Sequence, residues 1–276
     1  MRIASLIVLT FLSFSVHVNA QSSVFIQEAY NPGNVFSRAS LDFDSYYFVA
    51  ENKFYALRGS FYYGIPNQRH LFGISIPVVH SIFSGDFAGY ENTTGIGDMK
   101  FTYLIVPYKK QTPLGLERVS FFMEVTAPTG NEDLGRGVGS WLYKPGLIFS
   151  VQPSMNFSLY PEVRFQFSTE DVNSQGGSGG LPDPEDEEVD EKLQNISLFL
   201  PATYVIDSWN GWISLNTEYA YTFVEDTYFL FMRLDFGKMM GQNSSAALQI
   251  TKFIAGQPRL ETAINVRFNF FLRREH

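Results

Sequence analysis

The chain has 276 residues, a formal net charge of −8 and no cysteine. Without thiols there are no disulfides, thiolate metal sites, thiol catalysis or lipid anchor at a cleavage point, and an acidic chain lacks the basic surface that nucleic acid recruits. Aromatic residues make up 16% of the sequence, with 27 Phe and 15 Tyr, as suits a protein that faces lipid and needs interfacial girdles.

Residues 1–20 read as a secretory signal: Arg2 is the positive start, Ile3 to Val16 is mostly apolar, and Val18-Asn19-Ala20 ends in a small-residue cleavage pattern. No other apolar run approaches the roughly 18 residues of a spanning helix. Residues 21–35 form a short N-terminal segment, periplasmic or tucked into a lumen as a small plug.

From residue 36 onward, apolar and polar residues alternate in long runs. A period of two makes one face of a strand apolar and the other polar. A tilted strand crossing a bilayer needs about 9–11 residues, well above the usual 5–6. Leu41, Phe43 and Tyr47 oppose Arg38, Asp42 and Asp44, and then Tyr55, Leu57, Phe61 and Tyr63 oppose Arg58 and Ser60. Phe72 to Val78 and Phe101 to Ile105 mark the third and fourth strands, with Lys100 on the polar side of the fourth. In the fifth, Val119, Phe121, Met123 and Val125 oppose Arg118 and Glu124, and in the sixth Tyr143, Leu147 and Phe149 oppose Lys144. The segment 155–168 sets Phe157, Val163, Phe165 and Phe167 against Tyr160, Glu162 and Arg164, and 193–207 follows with an apolar face from Ile196 to Ile206. In 211–224, Ile213 to Phe223 oppose Trp212, Ser214, Asn216 and Glu218. In 227–237, Leu230, Met232 and Leu234 oppose Arg233 and Asp235. A weakly patterned strand near 246–256 precedes the last, 261–272, where Ile264, Val266, Phe268 and Phe270 oppose Asn265, Arg267 and Asn269.

These twelve strands predict an all-β fold, a transmembrane antiparallel up-and-down β-barrel over 36–276. With both termini periplasmic, the connections at 49–52, 81–93, 128–138, 169–192, 224–227 and 256–260 lie outside, and those at 66–68, 107–115, 152–154, 208–210 and 238–245 face the periplasm. The external loop 169–192 carries the acidic run from Asp183 to Glu191 behind a Gly/Ser-rich stretch. It reads first as a solvated surface loop and second as a collector of divalent cations.

The candidate lumen-lining residues are Arg38, Asp42, Arg58, Lys100, Arg118, Glu124, Lys144, Glu162, Arg164, Glu218, Arg233, Asp235 and Arg267. Placing Arg or Lys on the lipid face at mid-bilayer costs about 2–4 kcal/mol, so charges belong on the opposite face. With Asp44 and Glu261 on the same face, eight cations stand against seven anions, and these near-equal numbers predict cross-strand ion pairs rather than a single-sign selectivity ring. These pairs either stabilise the interior or line a solute path. No catalytic residues, metal ligands or cofactors are expected. His80 and Ser81 are adjacent on one strand and therefore face opposite ways.

Tyr63-Gly64-Ile65 with Leu71 to Pro77, then Gly95-Ile96-Gly97-Asp98, then Ala127-Pro128-Thr129-Gly130 with Gly135 and Gly137, resemble motifs of the outer-membrane family labelled "putative MetA-pathway of phenol degradation". Gly95, Gly97, Asp98, Pro128, Thr129 and Gly130 carry the resemblance and read as structural, with Asp98 capping a turn. The resemblance implies a relative of FadL-type channels for hydrophobic compounds. The segment 21–35 is short for a FadL-like hatch, and Arg273 to His276 extend beyond the last aromatic-rich strand.

The expectation is a protein of the bacterial outer membrane, exported through its signal and placed by the barrel-assembly machinery among lipid and lipopolysaccharide. It would pass small solutes, hydrophobic or aromatic ones among them, with no nucleic acid partner and no covalent chemistry. The alternative is a non-conducting structural or adhesive barrel whose loops bind a partner.

Overall fold

A computed structural model describes residues 26, 29–48, 52–65, 69–83, 91–169, 192–223, 226–257 and 260–272. The signal segment 1–20, most of 21–28, the acidic run 183–191 and Arg273 to His276 lie outside the described residues. The strands are β1 (Arg38–Phe48), β2 (Lys53–Gly64), β3 (His70–Ile82), β4 (Thr93–Ile96), β5 (Met99–Thr112), β6 (Gly115–Ala127) and β7 (Leu142–Ser154). They continue with β8 (Phe157–Leu159), β9 (Glu162–Ser168), β10 (Lys192–Ile206), β11 (Gly211–Thr222), β12 (Thr227–Met239), β13 (Ser244–Gly256) and β14 (Leu260–Phe271).

Each strand pairs antiparallel with its neighbours, β14 with β1 and β10 with β11, so the sheet closes into a 12-stranded barrel. Two staves are interrupted. β4 and β5 both pair with β3 and form one stave broken at Gly97-Asp98. β8 and β9 form another, broken at Tyr160-Pro161, where proline has no N–H to give the ladder. Closure leaves no exposed strand edge in the hydrocarbon, which is what lets a sheet span a bilayer.

The outer face follows from the alternation. Leu41, Phe43, Leu57, Phe61, Phe72, Ile74, Ile76, Leu198, Leu200, Phe268 and Phe270 are all exposed. The residues between them are buried and polar, including Ser40, Asp42, Asp44, Ser75, Ser120, Ser150, Thr251, Asn265 and Asn269. This inverts a soluble protein and fits a solvent of lipid chains.

The turns at the end that carries both termini of the barrel are short, and two of them are shorter than the pattern predicted. β5 runs on to Thr112 and β6 begins at Gly115, so most of 107–115 is strand. A bulge between Ile105 and Tyr108 absorbs Pro107, whose missing donor and polar neighbours give the segment the look of a loop. Likewise β12 reaches Met239 and β13 starts at Ser244, which shortens the turn expected at 238–245.

Candidate functional site

The interior is layered along the barrel axis. At the short-turn end the described residues of the N-terminal segment sit against the inner wall. Ile26 and Ala29 pack with Val205, Trp212, Met239, Ala247 and Phe271, and Tyr30 lies 5.3 Å from the Trp212 ring. Val35 joins Leu71, Leu104, Val106, Phe122 and Ile148 in a second cluster. Polar contacts hold the segment in place. Asn31 Oδ1 accepts from Gly33 N at 2.8 Å and from Ser150 Oγ at 3.1 Å. The Gly33 carbonyl accepts from Arg118 Nη1 at 3.0 Å and Ser120 Oγ at 3.3 Å. A side chain at Gly33 would put its Cβ 2.7 Å from Ser120 Oγ, so the hydroxyl would have to turn away from the Gly33 carbonyl it bonds. Arg38 donates to Asn34 Oδ1 at 2.9 Å and lies 4.3 Å over the Tyr62 ring. Arg38 and Arg118, both predicted to line the lumen, are thus contacts of the N-terminal segment.

Above this layer the remaining candidate charges come together. Arg58 pairs with Asp44, and Arg267 Nε with Asp42 Oδ1 at 2.5 Å. Asn265 Nδ2 donates to both carboxylates, at 2.7 Å to Asp44 and 3.3 Å to Asp42, which links β1, β2 and β14 in one network. Around the wall, Lys100 meets Glu124 at 3.2 Å and Arg233 meets Glu218 at 3.4 Å. Arg164 pairs with Glu162 at 2.5 Å within one strand rather than across two, and its guanidinium lies 5.1 Å from the Phe122 ring and 4.8 Å from Phe199. Lys144 stands opposite Glu124 in the β6–β7 register, and Asp235 opposite Ser214 and Gln249. The pairing of signs removes any single-sign ring from this level.

The alternation did not reveal the aromatic residues on the inner face. Phe231 pairs with Phe253 across β12–β13, their rings 5.8 Å apart, and Phe229 follows at 6.4 Å. Phe54 contacts Phe48 at 5.3 Å and Phe83 at 5.9 Å near the long-loop end. The available signal was parity: these phenylalanines occupy the positions of Arg58, Arg233 and Thr251, not those of Leu57 and Leu234.

The glycine-rich motifs build one unit at the long-loop end. Asp98 accepts from Gly130 N and Val138 N, each at 2.8 Å. Thr129 Oγ1 donates to the Gly97 carbonyl at 3.1 Å and accepts from Met99 N at 2.9 Å, just past Pro128. Arg136 Nη1 donates to the Thr94 carbonyl at 3.1 Å and fills the space a Cβ on Gly95 would need. Ser81 Oγ, on the inner face, donates to the Gly135 carbonyl at 3.2 Å, which brings this loop over the lumen side of β3. His80 points the other way and meets Thr94 Oγ1 at 2.7 Å.

A family model matches residues 31–180, which span the inner-wall contacts of Gly33, the ion pairs of β1 to β9 and both glycine motifs. The chain belongs to the family described as "Putative MetA-pathway of phenol degradation". Among solved structures, this member resembles an outer membrane channel from Pseudomonas putida F1 at 14% identity and a TM-score of 0.66, covering 86% of this chain and 96% of that one. It also resembles the NanC porin (11% identity, TM-score 0.53, 84% and 100% covered) and the KdgM porin (12%, 0.52, 85% and 99%). At such identities the likeness is one of fold. No curated protein matches the chain in sequence.

Proposed function

We propose that this family member is an outer-membrane channel through which small solutes, hydrophobic or aromatic ones among them, move passively. The observation that carries the reading is the charged but internally neutralised inner wall, interleaved with half-buried phenylalanines. Such a surface offers a solute both hydrogen bonds and ring contacts without a net field that would restrict passage to one sign of charge. Its dense ion pairs also hold the wall rigid.

A second reading is favoured by the N-terminal segment. Ile26, Asn31 and Asn34 are almost completely buried at the short-turn end, as in a lumen that stays shut. On the channel reading the segment is a plug that yields. On the alternative it is a permanent filling, and the barrel is a structural or adhesive one whose loops bind a partner.

Single-channel recording of the refolded mature chain separates the two. The channel reading expects discrete conductance steps, together with swelling of protein-loaded liposomes in a small uncharged solute. A barrel that stays silent in both assays, even after the Arg118 and Asn31 contacts are removed, is a filled one, and the channel reading fails.

A further inference from the structure

On the inner wall of β1 and β11 to β14 there is a recess of about 180 Å³. Tyr46, Glu218, Phe231, Arg233, Gln249 and Thr251 form most of it. An engineered apolar cavity of about 150 Å³ takes up benzene, so the recess has room for one six-membered ring and a substituent. Phe231 supplies an aromatic face, and the edge-to-face contact with Phe253 at an interplanar angle of 73° fixes its orientation.

The polar groups of the recess are not equivalent. The Asp44 side chain is 7% exposed and already serves Arg58 and Asn265. Glu218 is 21% exposed and, among the described residues, receives one long hydrogen bond, from Arg233 Nη2 at 3.4 Å. Arg233 in turn donates its Nε to Thr251 Oγ1 at 3.2 Å, which holds the guanidinium towards β13. Glu218 is therefore a carboxylate that faces the lumen with acceptor capacity left over.

Resting on the channel reading, we propose that this recess is a binding site for an uncharged single-ring solute bearing an O–H or N–H donor. Glu218 accepts that donor, and Phe231 packs against the ring. A ring carboxylate is disfavoured, because its charge meets Glu218 and the Arg233 positive charge is already shared. A plain hydrocarbon ring is disfavoured less strongly, because it leaves Glu218 without a partner at the moment water is displaced.

The test is a ¹⁹F NMR titration of the refolded full chain in detergent with 4-fluorophenol, 4-fluorobenzoate and fluorobenzene. Thr251→Phe, which fills the recess, and Phe231→Ala, which removes its ring face, serve as two independent references. Saturable line broadening is expected for 4-fluorophenol and is lost in both variants, while 4-fluorobenzoate binds about tenfold more weakly, the loss of one hydrogen bond to a charged group. In Glu218→Gln the preference of 4-fluorophenol over 4-fluorobenzoate collapses. Equal broadening in wild type and both references, or a preference that survives Glu218→Gln, overturns the site. Conductance without saturable binding sinks the site and leaves the channel reading standing. Binding by a silent barrel does the reverse.

Discussion

The two ends of the barrel interior solve the same problem in different ways. At the short-turn end, apolar inner-wall residues such as Val205, Trp212 and Phe271 are covered by the chain's own N-terminal segment, and the result resembles a soluble core. Towards the long loops the inner wall is charged, and among the described residues five ion pairs join neighbouring strands or residues two apart on one strand. The first end excludes water by packing. The second tolerates water, because paired side chains with some exposure keep part of their hydration. On the channel reading proposed above, selectivity is expected at the second end, where charged groups keep some exposure, and closure at the first.

The largest expected effect tests the premise that the outer face differs from both interior ends. Ile74→Arg places a cation on the lipid face and should destabilise the folded barrel by about 2–4 kcal/mol. Ser75→Arg, one residue on and facing the lumen, should cost well under half of that. Urea unfolding in lipid vesicles measures both, and equal costs would abolish the distinction between the two faces.

Next in size is the network joining β1, β2 and β14. Asp44→Ala strands Arg58 and removes an acceptor from Asn265, for an expected loss of about 2 kcal/mol, below the 3–5 kcal/mol of a fully buried pair because Arg58 keeps contact with water. Removing the short-turn contacts in Arg118→Ala should cost about 1 kcal/mol, one hydrogen bond to a carbonyl. The same change should raise the open fraction in single-channel recordings about fivefold, since a tenfold shift corresponds to about 1.4 kcal/mol. If Asp44→Ala rather than Arg118→Ala opens the barrel, the closing layer has been assigned to the wrong end.

The smallest effect concerns the long-loop end. Asp98→Ala frees the Gly130 and Val138 amides to water, with a stability change of under about 1 kcal/mol. The loop itself should become open to protease between Asn131 and Arg136, where the wild type resists. A loop that stays protected would mean Asp98 is dispensable to it.

Much of the wall was legible along the chain. Leu41 and Phe43 against Asp42 and Asp44, or Met232 and Leu234 against Arg233 and Asp235, give the face of each strand directly, because lipid and lumen impose opposite chemistries at a period of two. Strand ends were harder to read. Pro107, Lys109 and Lys110 carry turn-like chemistry yet belong to β5, since a bulge lets the ladder absorb a proline. Pro161 divides a stave that the alternation reads as continuous.

The alternation determined which face of each strand is polar and which apolar, and closure of the sheet turned the polar faces inward, away from hydrocarbon. Which charges meet is a matter of register: Asp42 lies opposite both Arg58 and Arg267, and only the packed geometry sends it to Arg267 and leaves Arg58 to Asp44. The seat of Gly33 beneath Arg118 is likewise tertiary, and closure of β1 on β14 brings Asp44 and Tyr46 to the recess that the β11–β12 partners Glu218 and Phe231 begin.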